Sequence, residues 1–152
     1  MNKLLKLLSI ACLVTVMCFA FAACAEEEID NYTYSTFGGL EYAFVNSSYA
    51  GNQVTVHLKV RNKTEASKNI AVGSYKVINT SNSSEFAAAN LERRETGNNW
   101  YSYIYYSMEI GAGYTYDIRL KFNDASITSS TSYKLMYLTT QLMFTFNSSG
   151  KI

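Results

Sequence analysis

The one histidine of this 152-residue chain, His57, is the first residue to test for acid–base chemistry. It stands between Thr55 and Lys59 on the polar side of an alternating segment, where a strand meets water. A general base needs a partner and a reacting proton within hydrogen-bond reach, and a solvated strand face supplies neither. One histidine allows neither a multi-histidine metal site nor a choice of triad base. Five carboxylates remain for hydrolytic chemistry: Glu41, Glu85, Glu109, Asp117 and Asp124. Glycoside hydrolysis uses two carboxylates at a defined separation, and none of these five sits in a recognisable motif. Asp117 alternates with Arg119 and Lys121, as a solvated face does, and Asn123-Asp124 has no Asp-x-Asp run to hold calcium. The expectation is a chain with no catalytic residues, no metal and no cofactor of its own.

Aromatic residues offer better chemistry. In Trp100-Tyr-Ser-Tyr-Ile-Tyr-Tyr-Ser-Met108, one side of a strand carries Tyr101, Tyr103, Tyr105 and Ser107. The other side carries Trp100, Ser102, Ile104, Tyr106 and Met108. With the second side in the core, Tyr101, Tyr103 and Tyr105 form an outward row, a candidate face for stacking on sugars or contacting a protein. The competing expectation is that these rings pair across strands and stabilise the sheet.

The remaining reactive side chain is a thiol. Lys3 and Lys6 precede an apolar run from Leu7 to Phe21, which ends in Phe21-Ala22-Ala23-Cys24 before Glu26-Glu27-Glu28. A basic start, an apolar stretch and small residues at its end make an export signal. The boundary resembles the lipobox of bacterial lipoproteins, with Phe21 where that family favours Leu. The resemblance implies cleavage before Cys24 and a diacylglycerol on its thiol, anchored by two or three acyl chains in all. Ala23-Cys24-Ala25 also satisfies the small-x-small rule for a cut after Ala25. Leu7 to Ala25, with only Ser9 and Thr15 polar, is long enough to stay uncut as a membrane span. Each alternative leaves the lysines inside and exports everything from Glu26 onward. The other cysteines, Cys12 and Cys18, lie within the signal, so the exported part is expected to fold without a disulfide.

Removing the first 23 of 152 residues leaves 129, enough for one domain with its own core. Loss of Lys3 and Lys6 takes the 13 basic residues to 11, against 12 acidic. That balance, with Arg93-Arg94 flanked by Glu92 and Glu95, argues against nucleic acid as a partner. The domain boundaries expected are a signal peptide over 1–23, a short acidic linker over 24–31 and a folded domain over 32–152.

That domain reads as strands. Gln53 to Asn62 sets Val54, Val56, Leu58 and Val60 against Thr55, His57, Lys59 and Arg61. Tyr114 to Phe122 sets Tyr114, Tyr116, Ile118, Leu120 and Phe122 against Thr115, Asp117, Arg119 and Lys121. Period-two alternation with charge on one side marks antiparallel strands with one face packed. Further strands are expected at Leu40 to Asn46 before a Ser47–Gly51 turn, at Ile70 to Thr80, at Trp100 to Met108 and, as one strand or two, at Tyr133 to Phe146. Ala87-Ala88-Ala89 suggests a helical turn near Glu85 to Arg94. Asn-x-Ser/Thr sequences at Asn31, Asn46, Asn62, Asn79, Asn82 and Asn147 read as turns. About seven short strands separated by turn signals predict an all-β antiparallel sandwich.

Two motifs add a second resemblance. Val60-Arg-Asn-Lys-Thr64 closes one strand, and Ile110-Gly-Ala-Gly113 leads into Tyr116-Asp-Ile-Arg-Leu-Lys-Phe122. Their order after a lipoprotein signal resembles the telokin-like, immunoglobulin-like domains of exported bacterial lipoproteins, in which Pro commonly occupies the place of Ala112. The resemblance implies an immunoglobulin-like sandwich outside the cell membrane and carries no catalytic residues. The expected function is an envelope-anchored lipoprotein that binds a protein or glycan. A structural envelope module without a ligand and a secreted hydrolase are the alternatives.

Overall fold

Alternation in two segments builds the centre of the structure. In the computed structural model, which describes residues 31–94, 99–103, 107–138 and 140–152, Gln53–Arg61 and Thr115–Asn123 pair antiparallel along their whole lengths. Val54, Val56, Leu58, Val60, Ile118, Leu120 and Phe122 are fully buried on one side of that pair. Each such side chain contributes about 1.5–3 kcal/mol of burial. The chain divides into Met1–Asn31 and Tyr32–Ile152, and the second unit is the one described.

In chain order its strands are β1 (Ser35–Phe37), β2 (Leu40–Ala50), β3 (Gln53–Arg61), β4 (Lys68–Ala71), β5 (Tyr75–Asn79), β6 (Glu85–Ala87) and β7 (Asn90–Arg94). They continue as β8 (Trp100–Ser102), β9 (Ser107–Ile110), β10 (Thr115–Asn123), β11 (Tyr133–Tyr137), β12 (Gln141–Asn147) and β13 (Gly150–Lys151). One sheet has the order β1-β2-β3-β10-β7-β8, a second β13-β12-β11-β5-β6, and a small third sheet pairs β4 with β9.

The order β2-β3-β10-β7 against β12-β11-β5 is the A-B-E-D and G-F-C arrangement of an immunoglobulin-type sandwich. These seven frame strands match the number expected from the sequence. The other six segments among the described residues extend sheet edges or form the small sheet. A second signature is Tyr133 at the start of β11. Its hydroxyl donates to the Thr128 carbonyl (3.1 Å) and accepts from the Thr128 N–H (3.0 Å). That is the corner in which an F-strand tyrosine bonds back to the preceding loop. Leu135, two residues on and fully buried, stands where antibody domains place a disulfide cysteine. Packing takes the place of the cross-link. Aromatic rings close the core between the sheets, with Phe44 5.9 Å from Phe144 and 5.8 Å from Phe146. The buried Tyr42 and Tyr75 hydroxyls bond each other at 2.9 Å.

Several local expectations are corrected. Glu85 to Arg94 forms no helical turn; it supplies β6 in one sheet and β7 in the other. The alanines are the crossing, where the Ala88 N–H donates to Tyr75 O (3.0 Å) and the Ala89 N–H to Lys121 O (2.8 Å). Backbone partners on both sheets outweigh the few tenths of a kcal/mol that helix propensity offers. Ser47 to Ala50 stays in β2, because pairing with β3 runs on to Ala50 opposite Gln53. The hairpin instead turns at Gly51-Asn52, with Gly51 at φ +57. Ile70 to Thr80 is interrupted by a 3-10 turn at Val72–Ser74, which carries the chain from the small sheet to the second. Trp100 to Met108 likewise divides, β8 joining the first sheet and β9 the small one. Tyr133 to Phe146 needs no correction: it is two strands, one of the two forms expected.

The two motifs of the second resemblance meet in space. Asn62, 1 % exposed, donates from Nδ2 to Ile110 O (3.0 Å) and Ala66 O (2.8 Å). Its Oδ1 accepts from the Thr64 N–H and hydroxyl. Its backbone N–H donates to Tyr114 O, and the Gly113 N–H donates back to Asn62 O. The Asn-Lys-Thr turn is thus stapled to the turn that presents Tyr114. Elsewhere Asn79, Asn82 and Asn147 each accept from the N–H two residues on, the Asx turns that such sequences favour.

Candidate functional site

Strand register places Arg93 at the centre of an aromatic cluster. It lies opposite Ile118 on β10 and Tyr101 on β8, so all three side chains share the sandwich-facing side of the first sheet. The Arg93 guanidinium sits 4.9 Å from the Tyr116 ring and 5.8 Å from the Tyr103 ring. Cation–π attraction of this kind holds a charged group beside a core edge that would otherwise exclude it. Tyr103 and Tyr116 are half-buried against the core. Tyr114 stacks on Tyr116 with ring planes 14° apart and is 61 % exposed, while Tyr101 is 55 % exposed. Two open tyrosines therefore flank an arginine braced by two packed ones.

Tyr101 and Tyr103 share a face, but it is the sandwich-facing side of the sheet and Tyr103 packs against the core, so the expected outward row is not formed; Tyr105 and Cys24 lie outside the described residues. Trp100 does not enter the core. Its pairing with Arg94 turns it, together with Ser102, onto the polar outer face of the sheet. Tyr114, Tyr116 and Arg93 escaped the sequence reading for a physical reason. Alternation assigned the two tyrosines to the packed side of β10, but nothing local tells where the opposing sheet stops covering that side.

The outer face is organised too. His57 Nε2–H donates to Asp117 Oδ1 at 3.0 Å, Lys59 Nζ lies 3.6 Å from the same oxygen, and Arg94 lies 3.7 Å from Oδ2. The His57 bond and the adjacent cations hold the Asp117 carboxyl below the usual range, against the opposing effect of partial burial. Trp100 lies edge-on to His57 at 5.4 Å and takes the Arg119 guanidinium over its ring at 3.8 Å. Far from being freely solvated, His57 is covered by that indole and tied to Asp117. Further along, Arg61 pairs with Glu41 and stacks on Tyr34 at 3.6 Å, Lys59 approaches Tyr32, and Lys121 pairs with Glu92.

Of the other candidate carboxylates, Glu85 pairs with Lys76, Asp124 accepts from the Ser126 N–H and hydroxyl, which lower its titration, and Glu109 is exposed on β9. A shallow cleft near Ala50, Asn52, Gln53 and Asp124 and another between the β2 bulge and Ser148–Lys151 do not include His57. Among the described residues no group of three His, Cys, Asp or Glu side chains is arranged to hold a metal ion, and no helix is long and apolar enough to cross a membrane. No family model, no curated protein and no solved structure matches the chain.

Proposed function

We propose that this is an exported, lipid-anchored binding module, whose immunoglobulin-like domain recognises a protein partner through Tyr101, Arg93 and Tyr114. The observation that carries the proposal is the pair of uncovered tyrosines around a braced arginine. Tyrosine and arginine are enriched among the strong anchor positions of protein interfaces, and rings already fixed by stacking lose little freedom on binding. The basic, apolar and small-residue order before Cys24 supports export and a diacylglycerol on that thiol. The balanced charge speaks for a partner other than nucleic acid.

Affinity recovery from envelope extracts, with the intact chain and a Tyr101→Ala/Tyr114→Ala variant as baits, tests the module. Loss of partners from the variant is expected. Equal recovery by both forms would favour a structural module without a ligand. Mass spectrometry of the mature protein tests the anchor: a lipid-modified Cys24 at the N-terminus is expected, and an unmodified N-terminus at Glu26 would refute it.

A further inference from the structure

Among the described residues, five cations occupy the outer face of the first sheet, Lys59, Arg61, Arg94, Arg119 and Lys121, against three carboxylates, Glu41, Glu92 and Asp117. The excess is local. Glu41 and Glu92 are each matched by one cation, Arg61 and Lys121, whereas Asp117 alone serves Lys59 and Arg94. No carboxylate among the described residues lies within ion-pairing distance of Arg119, whose guanidinium rests on the Trp100 ring. Strands about 4.8 Å apart carry these side chains in adjacent rows, so the cations around Asp117 form a band across the sheet, not a single point.

We propose that this band, centred on Trp100 and Arg119, is a second binding surface, and that its ligand is an acidic polysaccharide bearing carboxylates. The charge excess fits a repeated anion. The exposed Ser102 hydroxyl offers a hydrogen-bond partner for ring hydroxyls, and half-buried Trp100 supplies apolar area for a sugar face. The surface lies on the opposite side of the sheet from Tyr101 and Arg93, and it does not depend on the anchor.

Trp100 is the only tryptophan in the chain, so its fluorescence reports this site alone. The full chain in detergent micelles is titrated with polygalacturonate, neutral dextran and, separately, micelles doped with anionic phospholipid. The expected result is a saturable change in Trp100 emission with polygalacturonate that weakens as salt rises, and none with dextran. Arg119→Gln should weaken the response about tenfold or more, the loss expected for one charged hydrogen bond. Lys59→Gln/Arg94→Gln, which leaves the indole and its stacked arginine in place, should do the same. Tyr101→Ala/Tyr114→Ala should bind polygalacturonate as the unmodified chain does, which separates this surface from the protein-binding one. No response to polygalacturonate, an equal response to dextran, a response to anionic lipid alone, or full binding by Lys59→Gln/Arg94→Gln would each overturn the proposal.

Discussion

Asn62→Ala is the substitution from which the fold stands to lose most for the fewest atoms. The side chain makes four hydrogen bonds from a nearly sealed position. Its removal strands the buried Ile110 carbonyl, at about 1–3 kcal/mol, while the three part-buried bonds contribute roughly 0.5 kcal/mol or more each. The Thr64 hydroxyl has one proton, divided between Asn62 Oδ1 and Ala66 O, and in the variant it serves Ala66 O alone, which limits the damage on that side. The expected loss is therefore about 3 kcal/mol, a large share of the ~5–15 kcal/mol typical of a domain. In urea the midpoint should fall by roughly 1–2 M at an unchanged slope. Asn62→Asp should cost at least as much, because it keeps the acceptor, loses the donors and places a charge in a buried site. Asn82→Ala, which removes a single exposed Asx turn, should cost less than about 1 kcal/mol. A loss below about 1 kcal/mol for Asn62→Ala, or a milder effect from Asn62→Asp, would refute the staple. The Asn62 side chain also holds Ile110 O at the start of the turn that presents Tyr114, so folded Asn62→Ala should recover less partner than the intact chain.

Three further outcomes follow from the same contacts. Asp117→Asn should cost about 1–2 kcal/mol at pH 7 by chemical denaturation. The folded carboxyl titrates below the unfolded one, so that difference should be complete above pH ~4 and fade as the pH falls through the depressed folded value. At high pH, burial raises Tyr42 and Tyr75 well above the ordinary phenol and pushes Tyr49 up to about 12. Unfolded tyrosines ionise near pH ~10, so stability should decline from there upward, and phenolate absorbance should show these three rings ionising late or only on unfolding. Gly38→Ala should destabilise by roughly 2–3 kcal/mol in a thermal melt, since φ is +58 and a new Cβ would meet the Tyr137 ring.

The sequence by itself determined the strands whose alternation is complete. In β3 and β10 every second residue is apolar and its neighbours are charged, so burial of one face has a single solution and register follows from it. All-β class, seven frame strands and a core without disulfides follow from such patterns. The tertiary structure alone decided which sheet each short segment joins. Ala87-Ala88-Ala89 has a helical preference of tenths of a kcal/mol, and backbone partners on two different sheets overrule it. The same holds for the candidate sites. Trp100 and Tyr101 are adjacent in the chain, and alternation requires only that they point to opposite faces. Which face meets the core depends on β8 pairing with β7 through Arg94 and Arg93, residues that periodicity cannot connect to them. Cluster and band alike are built from side chains of three or more strands, brought together by hydrogen-bond register across the sheet.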